Sequence, residues 1–431
     1  MRLPVIPSNQ KRDAYTEVAI RESSKIVGQS GGTLRRAIKV ALFIRNFRVG
    51  GAERQAFELA KHIDKCKFEV TVISLRGGGE LYGPFHSLPG VQIVTLESSF
   101  SFATLWVLIR TLQRLRIQVL HSFLTATNVY ALFVKLVLPR VKVIIGLRDS
   151  ITDFYMSYSS LFWRTKMWLL ESCLDRLGYL GDLYLSNSEA GKLMYDAKLH
   201  VKAMVVPNGI DTERFKPDPT AGERLREVAQ APANARLVGI LGNCTAYKDY
   251  PTFIHATKIL VGKVEHIHFV SIGEDCSPAG TELKRLIQQL GLQNVFHFLG
   301  TRLDVEQFLP GLDVLCSSSI TEGFPNALAE AMACGVPCVA TDVGDSRRVL
   351  GDTGILVPAG DPPALARGVD SLLSVGSAQL QVLRDAARLR ILHNFDAAAM
   401  AMRHEHVYES LVGQAFSPAE PLHTYKYSRD I

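Results

Sequence analysis

Residues 314–340 read VLCSSSITEGFPNALAEAMACGVPCVA. Val314–Cys316 is a short apolar strand, and Cys338–Ala340 is another. Between them Pro325 suits the first turn of a helix, Asn326–Ala333 carries it, and Gly335 followed by Pro337 stops it. Strand, helix and strand in so short a span is the repeating unit of a parallel sheet, because parallel neighbours need a crossover. Glu322 lies just ahead of the helix and Glu330 within it. At about 3.6 residues per turn they sit about two turns apart and can address one ligand at two points. Backbone N–H groups of Gly323, Phe324, Pro325's neighbours and Asn326 at that helix start suit a phosphate. A carboxylate beside them suits vicinal sugar hydroxyls, whose hydrogen bonds it accepts. The plainer reading is a helix cap with a solvated glutamate.

The same rhythm extends in both directions. Upstream, Leu237–Leu241, Ile267–Ile272 and Val295–Phe298 read as strands, with helices at Tyr250–Val261, Thr281–Leu290 and Val305–Leu309. Further back, strands are expected at Ile38–Ile44, Phe68–Leu75, Val91–Leu96, Val119–His121, Lys142–Leu147, Leu183–Ser186 and Met204–Val206. Helices are expected between them at Ala52–Asp64, Phe102–Arg116, Asn128–Leu138 and Ser160–Leu177. Such alternation predicts an α/β fold of two Rossmann-like, doubly wound domains facing across a cleft, where ligands usually bind. The expected boundaries are a flexible arm over 1–36, a front domain over 37–206, a back domain over 207–396, a closing helix over 397–412 that returns to the front domain, and a mobile tail over 413–431.

Composition bounds the function. The chain has 431 residues, 47% hydrophobic and 21% charged, which is ordinary for a globular protein and argues against disorder. No apolar run reaches the ~18–20 residues of a spanning helix, and the polar N-terminal stretch lacks the apolar centre of a secretory signal. The seven cysteines are scattered, with no CxxC, so reduced thiols in the cytoplasm are expected rather than a disulfide framework or a zinc site. Net charge is +6, yet residues 201–431 alone carry −5, so the front half is strongly basic. That asymmetry suits a polyanion or an anionic membrane surface, or simply a solvated face.

Several other residues sit where chemistry is done. Lys248 follows a strand and a short loop, well placed to meet a phosphate. Gly50-Gly51 opens a helix directly after the first strand, so backbone can approach an anion there. His121 and Arg148 each end a front strand. There is no GxGxxG, no GxSxG and no acidic cluster with Mg²⁺ character, so chemistry without a metal is expected.

Taken together, the residues resemble the retaining GT-B glycosyltransferases of family four (glycosyl transferases group 1) from about Lys39 to Val412. The carriers are Glu322-x7-Glu330 in its Glu-Gly-Phe-Pro setting, Pro207-Asn208-Gly209-Ile210-Asp211, Gly50-Gly51-Ala52-Glu53 and Ser186-Asn187-Ser188-Glu189. The resemblance implies a nucleotide-sugar in the cleft. Glu322 would hold donor-sugar hydroxyls, Glu330 the ribose, and Lys248 the diphosphate, with His121 near the sugar. Gly51, Asn243, Gly323, Phe324, Pro325, Asn326 and Arg148 would line the donor site. Two departures stand out. Asn243 stands where an arginine often precedes the phosphate-binding lysine, and Asp345 follows Gly344 where Gly-Gly is common.

The expected function is therefore a retaining, metal-independent transfer from a nucleotide-sugar, UDP-sugar favoured over GDP-sugar, to a glycan or lipid-linked acceptor in bacterial surface polysaccharide synthesis. No cofactor and no nucleic acid is expected. Peripheral contact with the cytoplasmic face of the inner membrane is suggested by Leu105–Arg110 with Arg114 and Arg116, and by Leu161–Trp168, where aromatics stand beside cations. Competing readings are a non-catalytic sugar-nucleotide-binding subunit that scaffolds a synthase, and a sugar-nucleotide epimerase on the same scaffold. A dehydrogenase ranks last.

Overall fold

A computed structural model describes residues 36–97, 101–148, 172–199, 201, 203–274 and 278–413. The expected arm, the tail beyond residue 413 and most of the expected helix over 160–177 lie outside them. Two parallel sheets organise the rest. The front sheet comprises β1 (Ile38–Ile44), β2 (Phe68–Ser74), β3 (Val91–Thr95), β4 (Val119–Ser122), β5 (Lys142–Leu147), β6 (Leu183–Ser186) and β7 (Ala203–Val205), in the order β3-β2-β1-β4-β5-β6-β7. The back sheet comprises β8 (Arg236–Leu241), β9 (Ile267–Ile272), β10 (Phe296–Phe298), β11 (Val314–Ser317), β12 (Cys338–Thr341) and β13 (Ile355–Val357), in the order β10-β9-β8-β11-β12-β13. Every pairing is parallel.

Each sheet is buried on both faces, which is why its strands read as continuous apolar runs. Val40, Leu42 and Ile44 of β1 pack into one core and Ala41 and Phe43 into another. In the back sheet Leu237 and Val238 divide in the same way. Five helices matter for the site. They are α1 (Gly51–His62), α2 (Phe102–Leu115), α3 (Glu189–Leu199), α4 (Asn326–Ala333) and α5 (Ala397–Leu411). Helix α2 ends at Arg116, which takes a left-handed φ of 55° and caps it. Helix α5 returns to the front: Met400, Ala401, Val407 and Tyr408 bury in the core of β1, β2 and α1. The chain passes between the sheets twice, and the two crossings pair, with Ile210 N–H on Phe395 O (2.8 Å) and Ala397 N–H on Ile210 O (3.0 Å).

One expected helix is wrong. Residues 305–309 form a 3-10 turn, Val305–Gln307, followed by a second, Leu309–Gly311. Pro310 has no N–H to donate and holds its φ near −65°, so a regular helix cannot run through it. Strand β13 was not expected, because three residues between glycine-rich turns carry no period.

Candidate functional site

In an open parallel sheet, ligands gather where strand order reverses, at the carboxyl ends of the two central strands. Here those strands are β1 and β4 in the front sheet and β8 and β11 in the back sheet. Lys248 ends the 3-10 turn after β8, and Glu322 lies in the loop between β11 and α4. Lys248 Nζ stands 2.5 Å from Glu322 Oε1, and Ser319 Oγ donates to the same oxygen at 2.7 Å. The two loops are stapled together. Ser318 Oγ donates to Lys248 O (2.8 Å) and Asp249 O (3.0 Å), and Ile320 N–H donates to Tyr247 O (2.8 Å). Gly242 takes a φ of 148° and lies along the Lys248 side chain, a course that favours glycine.

Helix α4 begins at Asn326, with Pro325 as its cap rather than inside its first turn. Glu330 is wholly buried, and burial pushes its carboxyl up. The opposing cation comes from the front sheet's first helix: Arg54 of α1 holds Glu330 Oε1 at 2.9 Å. Beside this pair runs a second link. Arg148 Nη1 donates to Asn208 Oδ1 (2.9 Å), and Asn208 Nδ2 donates to Asn326 Oδ1 (3.0 Å). Gly51 faces that amide, and a Cβ on it would stand 3.3 Å from Asn326 Nδ2. Arg148 also lies over the Phe123 ring, 4.5 Å from its centroid. Gly323 faces Asn187 and Ser188 of the front sheet in the same manner.

The structure thus brings Lys248, Glu322, Gly323, Asn326, Glu330, Gly51 and Arg148 to the seam between the two sheets' carboxyl edges. Chemically, cations and helix-start amides of this kind can meet an anion, and carboxylates can accept hydrogen bonds from hydroxyls.

Comparison with known proteins gives the family. Residues 49–214 match the model of Glycosyltransferase Family 4, and residues 235–375 match that of Glycosyl transferases group 1. The chain belongs to the group 1, family-four glycosyltransferases. Among its relatives is the lipopolysaccharide core biosynthesis mannosyltransferase LpsB of Rhizobium meliloti, 29% identical over 223 residues, which are 50% of this chain and 63% of the relative. Another is the Escherichia coli UDP-Gal:alpha-D-GlcNAc-diphosphoundecaprenol alpha-1,3-galactosyltransferase, 23% identical over 218 residues, 49% of this chain and 55% of that one. The chain therefore spans between half and two thirds of the length of these relatives. Anabaena HepE in complex with UDP-glucose shares the GT-B fold, with a TM-score of 0.72 at 20% identity, over 86% of this chain and 100% of that one.

Within this glycosyltransferase-family chain, three sequence expectations need correction. His121 is fully enclosed, its Nδ1 2.8 Å from Tyr408 Oη, between the rings of Phe123 and His404. Burial, then His404 and Arg148, hold its imidazole well below the ordinary range, so it is a neutral histidine of the core among the described residues. It lies one residue before the end of β4, and alternation turns its side chain into the sheet's face rather than over its edge. Phe324 packs its ring into the back core, 5.4 Å from Phe395, and leaves only its backbone to the loop. Asn243 is turned to the neighbouring loop, where its Oδ1 accepts Glu274 N–H at 3.0 Å.

Three residues of this family member escaped sequence reasoning. Arg54 stood inside the quoted glycine loop, Asn208 inside the Pro-Asn-Gly turn, and Ser319 in a run of three serines. Only the fold brings them to Glu330, Asn326 and Glu322. A further cluster lies where α1 meets the Pro-Asn-Gly turn. Glu58, His62 and Asp211 are close enough to share a cation. Lys61 already supplies one, 2.5 Å from Asp211 Oδ2, while Asp211 Oδ1 accepts the N–H groups of Glu213 and Arg214.

On the outer side, Phe102 of α2 is 89% exposed, with Trp106 and Val107 also exposed, and Arg110 lies 4.7 Å from the Trp106 ring. The second aromatic segment, 161–168, falls outside the described residues. Among those described, no helix is long and apolar enough to cross a membrane.

Proposed function

We propose that this chain is a retaining glycosyltransferase that moves a sugar from a nucleotide-sugar to a glycan or lipid-linked acceptor in bacterial surface polysaccharide synthesis. The observation that carries it is the meeting of Lys248, Glu322 and Glu330 with Gly51, Arg54 and Arg148 at the switch points of both sheets. The relatives' names support the substrate class: one acts in lipopolysaccharide core biosynthesis, another transfers galactose from UDP-Gal to a diphosphoundecaprenol-linked sugar.

In this reading Glu330 accepts the ribose hydroxyls, Glu322 accepts donor-sugar hydroxyls, and Lys248 neutralises the diphosphate. Arg148 lies on the front wall. The bond from the anomeric carbon to the leaving phosphate oxygen breaks, and the acceptor oxygen bonds to that carbon from the same face. The departing phosphate takes the acceptor's proton. Positioning and charge stabilisation supply the rate, with no protein nucleophile and no metal. Lys248 and Glu322 neutralise each other in the ligand-free pair, so donor entry exchanges that contact for phosphate and hydroxyl. UDP-sugar is the favoured donor. The exposed Phe102, Trp106 and Val107 beside Arg110 suit an anionic lipid surface at the cytoplasmic face of the inner membrane.

The test is release of nucleotide diphosphate from UDP-, GDP- and ADP-sugars, with EDTA present, with and without a membrane lipid extract. Release from one donor, indifferent to EDTA and raised by the extract, supports the reading. Nucleotide binding with no release from any donor overturns it in favour of a scaffold.

A further inference from the structure

Asp345 follows β12 and belongs to the back sheet, yet both its carboxylate oxygens serve the front one. Oδ2 accepts Glu189 N–H and Oδ1 accepts Ala190 N–H, each at 3.0 Å. These are the first two amides of α3, which have no partner within their helix, and the carboxylate sits at the positive end of the helix dipole. Arg348 brackets the joint, with Nη1 3.5 Å from Asp345 Oδ2 and 3.4 Å from Glu189 Oε1. Asp345 is only 4% exposed.

A third bond runs to the donor loop. Asp345 N–H donates to Gly323 O at 3.1 Å. A trans peptide is planar, so fixing the Gly323 carbonyl also fixes the direction of Phe324 N–H on the opposite edge. Gly344 makes the approach possible: its φ is 54°, and a Cβ there would fall 2.1 Å from Glu322 O. One residue therefore joins the loop that carries Glu322 to the first turn of a front-sheet helix.

We propose that Asp345 is a positioning residue, a latch that couples the orientation of the Glu322–Phe324 loop to closure of the front sheet over the back one. The inference rests on the reading of that loop as the donor-sugar loop. A buried carboxylate is tolerated only when hydrogen bonds or charge satisfy it. Here α3 and Arg348 satisfy it, and α3 is in reach only when the two sheets are closed. Opening the cleft strips two charge-assisted bonds from Asp345, so the carboxylate favours the closed form.

The experiment compares the full wild-type chain with Asp345→Gly, Asp345→Asn and Arg348→Gln. Ligand-free X-ray scattering reads closure, hydrogen exchange reads the Glu189 and Ala190 amides, and UDP and the active nucleotide-sugar serve as binding and kinetic probes. In Asp345→Gly the two amides are expected to exchange roughly tenfold faster or more, and the radius of gyration to grow. UDP affinity and donor KM should change less than about threefold while kcat falls roughly tenfold, since a loop released from its latch still binds but is poorly aligned. Asp345→Asn keeps one acceptor oxygen and should fall between the two. Unchanged scattering and exchange in both Asp345 variants overturns the latch, as does a loss of kcat that only tracks loss of folded protein. If the wild-type chain neither binds UDP nor turns over any donor, the proposed function fails, while scattering and exchange still decide the latch.

Discussion

Arg54 and Glu330 form an ion pair at 2.9 Å between the first helix of the front sheet and the site helix of the back sheet. The carboxylate is enclosed and the guanidinium is partly exposed, so the two partners are not equivalent. Removing the cation leaves a buried carboxylate without its counter-charge. Removing the charge on Glu330 leaves a cation that water can reach. Arg54→Gln is therefore expected to destabilise by about 2–3 kcal/mol and Glu330→Gln by less. Urea unfolding of both single variants and the double variant checks this. Additive losses would show that the pair does not interact.

Lys248 and Glu322 are paired at 2.5 Å, so each holds the other in place before any ligand arrives. Each single alanine variant is expected to cut turnover about 100-fold or more, because a developing charge loses its partner. Stability should fall by about 1–3 kcal/mol in each, since the remaining group loses its counter-charge. The double variant should be no less stable than the singles. Steady-state kinetics and thermal unfolding on the same preparations read both effects, and a purified Glu322→Ala enzyme with full turnover removes that residue from the site.

Glu58 sits at the joint between α1 and the Pro-Asn-Gly turn. Burial first, then the charge of Asp211, push its carboxyl up to about 7, against the pull of Lys61, Arg214 and Arg54. The folded chain therefore binds this proton more tightly than the unfolded one. The stability it contributes is present below pH ~4.5 and is lost as pH rises through about 7. The full effect is on the order of 3 kcal/mol. Glu58→Gln should flatten the stability profile between about pH 5 and 8 and raise Tm at the alkaline end by a few degrees. An unchanged profile in that variant contradicts the buried, charged-pair environment.

His121 and His404 act in the opposite direction. Both imidazoles are held below their ordinary value, His404 down to about 3, chiefly by burial. Their contribution is present above the unfolded value near 6.5 and is lost as pH falls. His121→Phe should leave Tyr408 Oη without its partner, at about 1–3 kcal/mol. It should also remove part of the acid limb of the stability curve and leave UDP binding unchanged. A selective loss of UDP affinity in a stable His121→Phe protein would return His121 to the site.

The sequence made some of this plain and hid the rest for physical reasons. Ile38–Ile44 was legible to the residue because a strand buried on both faces is apolar throughout and bounded by turn chemistry. The Glu322–Glu330 unit was legible because proline and glycine mark both ends of its helix. Lys248 could be singled out because it follows the strand Leu237–Leu241 and one short loop. His121 misled, since a strand-end position says nothing about which way a side chain points. Arg54 and Asp345 were invisible as partners, because their contacts cross between sheets and lie far apart in sequence. Asp345 was seen only as a departure from a pattern, and its meaning needed the first turn of α3 beside it.

The most direct measurement is calorimetric titration of UDP into the wild-type chain, Lys248→Ala and Glu330→Gln, with folding of each confirmed beforehand. Saturable wild-type binding that weakens roughly tenfold or more in each variant is the expected result. Equal binding in all three, or none to the wild type, would contradict the placement of a nucleotide diphosphate between Lys248 and Glu330.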